Sequence, residues 1–523
     1  MRRAYQEHRF GLVLGAGVSR AFRFHVPAWE ELVASLASHP FVDGSKVDAA
    51  GAPLASRADL LFRHFTAKVK QALDADGPID RYMAERIARG EWRALIREIL
   101  YKEAPSPAAL RDAHPFLQQF LTIVRDSPLT ITYNFDAYLE MMLAVDSGNA
   151  SDSRGRPYET VFDGARPFRS ATGVIYHPNG YLPQNVLERA SDDLVFSEED
   201  FGDQLLASVA GHDASVTHHL SKQTCLFIGL SLSDETLRHL LRRNAVNNPG
   251  HFHYLVDWLN PDRPLTPERA DALSAYRMRV YNLVTLYLAD DEIRALGTLI
   301  QLPLEDFRRV ADAAGAPLKY VFYLTGAPGV GKTTVLRHLA SLNTYDEWMA
   351  DPLPLLAKPY NKLSLDEQRE VDDWVAKQLR DKNESLLREM EGVFVVERGP
   401  LDPLSFVDDD EVRRKATAFR PLLLPTKFDQ LCAGSVILLW GDSARISSRV
   451  ASRQAIQQPP GYLDGLQNRL RTRIYPEQAG AVSLRSTDWS ISELVRAVAG
   501  VIHAGPYRSV DLGSRLSSLA TGS

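Results

Sequence analysis

Phe10-Gly-Leu-Val-Leu-Gly15-Ala16-Gly17-Val18-Ser19 reads as a short apolar strand running straight into a glycine turn, with a helix able to begin from Ala21. Glycine tolerates the dihedrals of a tight turn and puts no Cβ between the backbone and a ligand. A helix opening after such a turn aims unpaired N–H groups and partial positive charge outward, which favours a phosphate. The stretch therefore predicts a strand, turn and helix of an α/β sheet, with a nucleotide phosphate at the turn. Gly-x-Gly also occurs in ordinary turns, and the third glycine of the full dinucleotide fingerprint is missing. The later junctions of the chain decide between the two.

They do so by repetition. Leu129-Thr-Ile-Thr132-Tyr133-Asn134-Phe135-Asp136 is a β-branched run ending in polar groups, followed by a helical pattern from Ala137 to Ala144. Gly173-Val-Ile-Tyr-His177-Pro178-Asn179-Gly180-Tyr181 is again a strand entering a turn, and Thr224-Cys225-Leu-Phe-Ile-Gly229-Leu-Ser231-Leu-Ser233-Asp234 repeats the theme before a helix through Leu237, Leu240 and Leu241. His253–Asp257 and Val280–Tyr287 predict two further strands. Apolar residues at spacings of three to four predict helices from Trp29 to Ala37, across Leu60 to Leu100 and from His114, and Asp43–Ser56 reads as a loop. An open parallel sheet gathers its ligand groups at the C-terminal ends of its strands. Asn134 and Asp136 also have ordinary uses as turn and helix caps, His177 as a structural histidine and Asn179-Gly180 as a turn dipeptide.

The bulk numbers narrow the classes. At 523 residues, with 45% hydrophobic and 24% charged, the chain predicts two or three soluble globular domains. A net charge of −6, from 60 basic and 66 acidic residues, provides no global field toward nucleic acid or a membrane surface. Cys225 and Cys432 are the only cysteines, which excludes a disulfide framework and a four-cysteine zinc site. Neither a signal peptide nor an apolar span follows Met1, so the expected location is the cytoplasm.

A second centre lies further along. Tyr320–Thr325 leads into Gly326-Ala-Pro-Gly329-Val-Gly331-Lys332-Thr333-Thr334, a complete Walker A motif between a strand and a helix over Val335–Leu342. Its backbone N–H groups wrap phosphates, Lys332 reaches the β- and γ-phosphates, and Thr333 ligates Mg²⁺ through the nucleotide. The strand Gly392–Val396 ends at Glu397-Arg398, and another runs over Ser435–Trp440. Arg445, Arg449 and Arg453 recur four apart on one helical face. The expected organisation is 1–300, a linker over 301–318, a second domain over 319–505 and a tail over 506–523.

Gly15-Ala16-Gly17-Val18-Ser19, Thr132–Asp136, His177 with Gly180, and Phe227–Asp234 follow one another as they do in the sirtuin-like NAD-binding enzymes, in the divergent bacterial form of antiphage defence, which the first 300 residues resemble. That resemblance implies a Rossmann-like domain with Gly15, Ala16, Gly17, Ser19, Gly229, Ser231 and Asp234 around NAD, Asn134 and Asp136 near the nicotinamide ribose, and His177 as the base. It departs in having no four-cysteine zinc module and in Pro178-Asn179 between His177 and Gly180, so NAD hydrolysis to ADP-ribose and nicotinamide is expected over protein deacylation. The second half resembles the nucleoside and nucleotide kinase branch of P-loop proteins. That likeness implies ATP or another nucleoside triphosphate with Mg²⁺ as ligand, Glu397 as base or magnesium-linked carboxylate, and Arg398, Arg445, Arg449 and Arg453 neutralising phosphate. The combined expectation is an NAD-consuming effector gated by a nucleotide-sensing P-loop domain, with a phage-derived component as trigger and a homo-oligomer as a natural bistable element. The alternatives are a kinase with an NAD- or ADP-ribose-binding regulatory domain, a deacylase and a non-catalytic scaffold.

Overall fold

Phe10–Leu14 form β1, buried along its whole length. The computed structural model describes residues 1–42, 53–74, 80–148, 158–162, 173–192, 194–209, 214–232, 234–259, 264–339, 341–426, 429–454 and 458–522. Around β1 stand β2 (Leu129–Thr132), β3 (Tyr158–Val161), β4 (Gly173–Tyr176), β5 (Thr224–Ile228), β6 (His253–Trp258) and β7 (Leu283–Leu288), in the order β3-β4-β2-β1-β5-β6-β7. Every pairing is parallel. Leu12 and Leu14 enter one apolar cluster and Val13 the other. A strand covered on both faces is apolar at every position rather than at alternate ones, which is why β1 carries no polar residue. The chain fills one side of β1 first and returns to its other side with β5. The β1/β5 junction is therefore the topological switch point, where open parallel sheets leave a crevice at their C-terminal ends.

Several boundaries differ from the sequence reading. The helix after the glycine turn starts at Ala16, with extended Gly15 as its N-cap, and Ala21 closes it. The helix Leu54–Asp74 begins inside the stretch read as a loop, of which residues 43–52 lie outside the described residues. β7 starts three residues later than expected, because Asn282 at φ 54° ends the helix Pro267–Tyr281 in the left-handed conformation. The edge strand β3, half-buried and four residues long, was not foreseen.

The chain divides into two compact units, Met1–Asn244 with His253–Pro303, and Ala245–Phe252 with Leu304–Ser523. The second holds a five-stranded parallel sheet of β8 (Lys319–Gly326), β9 (Asn343–Tyr345), β10 (Gly392–Glu397), β11 (Ser435–Trp440) and β12 (Val482–Arg485), ordered β12-β11-β8-β10-β9. The helix Leu365–Arg388 is closed by a capping box, in which Ser364 Oγ accepts from the Glu367 amide and Glu367 Oε2 from the Ser364 amide. The helix Leu512–Thr521 packs on the helix Val412–Leu423. Among the described residues no helix is long and apolar enough to cross a membrane.

Candidate functional site

The glycines after β1 meet the glycine after β5. A Cβ on Gly15 would stand 2.5 Å from Leu230 and 2.6 Å from the Gly229 carbonyl oxygen, and one on Gly17 would stand 2.8 Å from Gly229 Cα. Gly229, at φ +72°, would place its own Cβ 2.5 Å from the Val18 nitrogen. The Gly15 and Gly17 amides donate to the carbonyls of Ile228 and Gly229 (both 2.9 Å). These three positions are therefore glycine because two strand ends cross in contact. The two glycine amides are bonded within the protein rather than left open for a phosphate.

From this crossing a buried polar chain runs toward β2. Asn134 Nδ2 donates to the Gly15 carbonyl (3.2 Å) and to Ser19 Oγ (2.8 Å), which donates to Asp136 Oδ2 (2.8 Å). The Tyr138 amide donates to Asp136 Oδ1 (3.2 Å). Asn134 Oδ1 is buried and has no hydrogen-bond partner among the described residues. Burial outweighs the hydrogen bonds to Asp136 and raises its carboxyl from 3.8 to about 6.

His177, at the end of β4, is completely buried. Its Nδ1 donates to the Asn134 backbone carbonyl (2.7 Å), and its Nε2 meets Glu140 Oε1 (2.8 Å) on the helix Tyr138–Gly148. Tyr181 packs edge-on against the ring at 4.8 Å. Asn179 donates to the Tyr133 carbonyl (3.1 Å), and Asp234, its carboxyl raised by burial, accepts from the Leu237 amide (2.8 Å) and from Asn179. Ser231 is exposed, and Ser233 lies outside the described residues.

The second unit has its own centre at the end of β8. Gly326, Gly329 and Gly331 all take positive φ, and a Cβ on Gly326 would stand 2.2 Å from the Leu439 carbonyl oxygen. Lys332 Nζ bonds back to the carbonyls of Gly326 (2.9 Å) and Ala327 (3.1 Å), and burial lowers its pKa, aided by Arg398. β10 lies beside β8 and brings Glu397 to the loop, where Thr333 Oγ1 donates to Glu397 Oε1 (2.6 Å). Glu397 Oε2 is buried without a partner among the described residues, and burial raises the carboxyl. A hydroxyl beside carboxylate oxygens is a donor set for a hard cation such as Mg²⁺ bridging to phosphates. Among the described residues no group of three or more His, Cys, Asp or Glu could hold a metal by itself.

Beside this loop lies a cavity of about 700 Å³, walled by Thr334, Trp348, Leu355, Val375, Phe406 and Arg449 among others. Arg398, at φ +69°, bonds Glu347 (2.6 Å) and lies over the rings of Trp348 and Phe406 at 5.5 and 5.6 Å. Burial pushes Glu347 up, but Arg398 and Lys332 outweigh it, so its carboxyl sits below the ordinary range. Lys415 is paired with Asp372. Arg445 is exposed and bonds the Thr487 carbonyl (3.2 Å), away from this wall, while the Arg453 side chain lies outside the described residues.

Residues 128–281 match the model of the SIR2-like domain, and residues 323–431 match that of an AAA domain. The chain carries a SIR2-like domain followed by an AAA-type P-loop domain. Together they fit an NAD-related enzyme joined to a nucleotide-binding domain. Crystal structures of NadR protein, one in complex with NAD and AMP-PNP and one with NR, align at 13% identity over 75% of this chain and 92% of theirs. Their TM-scores of 0.25 are too low to establish a shared overall fold. No curated protein matches at a significant level.

Sequence reasoning missed residues in both domains. In the SIR2-like domain Glu140 carries a signal, an acid inside the apolar helical run Tyr138-Leu-Glu-Met-Met-Leu. In the P-loop domain Lys382 carries none. It lies in a highly charged helix, yet it is buried and donates to the carbonyls of Asp346 (2.9 Å), Glu347 (2.8 Å) and Glu397 (2.9 Å), and burial lowers it to about 8.

Proposed function

We propose that the SIR2-like domain hydrolyses NAD to ADP-ribose and nicotinamide, as a cytoplasmic antiphage effector gated by nucleoside triphosphate bound at the P-loop. The observation that supports this reading best is the buried chain Asn134–Ser19–Asp136 at the C-terminal ends of β1 and β2, beside the switch point. In the reaction the bond from ribose C1′ to nicotinamide breaks, its electron pair staying on the ring nitrogen, and water forms the new C1′–O bond. The water proton needs an acceptor. Asp136, raised by burial to about 6, is matched to a proton acceptor working near neutral pH. Asn134 Oδ1, buried and unpartnered, is suited to hold the attacking water. Dipoles fixed before reaction stabilise the oxocarbenium-like centre.

In the P-loop domain Lys332, Thr333 and the amides around Gly329 and Gly331 would hold the triphosphate, with Mg²⁺ at Thr333 and Glu397 neutralising its charge. A phage-derived trigger and self-association are the further elements of the proposal. The test is nicotinamide release from NAD by the full chain, with and without ATP, in wild type, Asn134→Ala and Lys332→Ala. Release should fall about a hundredfold or more in Asn134→Ala, and its ATP dependence should vanish in Lys332→Ala. Equal release by wild type and Asn134→Ala would sink the assignment.

The large cavity beside the P-loop favours a second reading, phosphoryl transfer to the hydroxyl of a small molecule bound there. Two cations of its wall, Arg398 and Lys415, are already paired with carboxylates. ADP formation increased by an added nucleoside, and lost in Lys332→Ala, would support it.

A further inference from the structure

The hydrogen bonds around His177 are inconsistent with a free base. The Asn134 backbone carbonyl can only accept, so Nδ1 carries a proton and donates it there at 2.7 Å. Nε2 lies 2.8 Å from Glu140 Oε1. Both ring nitrogens are therefore engaged within the protein, and the ring is completely buried. The Asn134 amide orientation is equally determined, because its Nδ2 faces the Gly15 carbonyl, another group that only accepts.

We infer that Glu140 is a positioning residue, which holds the His177 ring so that Nδ1–H fixes the Asn134 peptide and leaves Asn134 Oδ1 to meet the reacting molecule. Four side chains converge on this arrangement. Glu140 comes from the first turn of the helix Tyr138–Gly148, its Oε1 also accepting from Thr160 of β3 at 3.4 Å. His177 comes from the end of β4, its amide donating to the Val161 carbonyl of β3 (2.8 Å). Asn134 follows β2, with its side chain tied to the β1 turn through Gly15 and Ser19. Tyr181 closes the remaining edge of the ring. Oriented donors of this kind position a catalytic group through the residue they hold, without touching substrate.

The inference rests on the reading that this domain cleaves NAD, and its test separates the two. A base must be able to take a proton, which glutamine cannot do. An orienting donor needs only an N–H, which glutamine supplies. In the full chain, His177→Ala, Glu140→Ala and the double variant should each lower kcat for nicotinamide release about a hundredfold with little change in KM, the double no worse than the singles. His177→Gln and Glu140→Gln should remain within about tenfold of wild type.

Hydrogen exchange of the peptide spanning residues 133–137 is read without NAD. It should quicken about tenfold in the alanine variants and return toward wild type in the glutamine variants. His177→Gln as inactive as His177→Ala, additive losses in the double variant, or unchanged exchange at 133–137 would each overturn the assignment. Where an alanine variant fails to fold, the glutamine pair alone decides. If wild type releases no nicotinamide, the hydrolase reading fails while the exchange result still decides the positioning role.

Discussion

Gly229→Ala tests whether the glycines of the SIR2-like domain serve a backbone crossing. At φ +72° an added side chain sits in the left-handed region, a cost of about 1–2 kcal/mol. The new Cβ would also lie 2.5 Å from the Val18 nitrogen, 2.9 Å from Val18 Cγ2 and 3.0 Å from the Gly15 carbonyl oxygen. Two of those three atoms are backbone and cannot turn away, so the β1 turn must shift, adding about 1–3 kcal/mol. The sum, about 2–5 kcal/mol, corresponds to a fall of roughly 5–15 °C in the unfolding midpoint of this unit. The assay is thermal unfolding, combined with hydrogen exchange of the peptides covering β1 and β5. Gly90→Ala is the control, because its Cβ would meet nothing within 4 Å on the helix Arg81–Tyr101. It should stabilise by about 0.5–1 kcal/mol. A Gly229→Ala protein unfolding within a degree of wild type would refute the crossing as the reason for glycine there.

Three further outcomes are expected. The folded pKa of Asp136, about 6, lies above its ordinary 3.8, so its contribution to stability is present in full below pH 3.8 and is lost as pH rises through 6. The loss is about 3 kcal/mol, and urea midpoints measured from pH 4 to 7 should show this slope in wild type but not in Asp136→Asn. Thr333→Val should weaken ATP binding roughly tenfold, about 1.4 kcal/mol, in Mg²⁺, while calorimetry in EDTA finds wild type and variant alike; equal weakening in both would argue against the metal role of the hydroxyl. Lys382→Met takes the donor from three carbonyls, that of Glu397 buried and those of Asp346 and Glu347 half-buried, and should destabilise the P-loop domain by about 2–4 kcal/mol, with ATP affinity falling as Glu347 and Glu397 lose their support; denaturant unfolding unchanged by the substitution would show the clamp to be dispensable.

Much of the fold was legible because β1, β4, β5 and most of β8 are buried on both sides and write a largely apolar run into the chain before each polar junction, while β2 shows instead the β-branched run Leu129-Thr-Ile-Thr132. β3, β9 and β12 are short edge strands whose residues, Val161 apart, are half-buried or exposed. A strand with one solvated side and three or four residues leaves too few positions for a pattern. Asn134, Asp136, His177 and Ser19 stood out because polar groups at the ends of apolar strands are conspicuous. Glu140 was visible only as an anomaly within a helix, and Lys382 resembled any lysine on a solvated face.

The sequence by itself determined two parallel α/β domains, a glycine turn after the first strand and a Walker A loop with an acid on a later strand, because these depend on local steric freedom and on burial patterns that each segment carries alone. Tertiary structure alone decided what the groups do to one another. It placed Gly229 against Gly15 and Gly17, so that the first glycine loop is held by a neighbouring strand end, and it set Glu140 against His177 and Thr333 against Glu397. Those pairs are separated by 37 to more than 200 residues. Only the closing of the two sheets brings them within hydrogen-bond distance, and there burial, rather than any property of the isolated residues, raises Asp136 and Glu397.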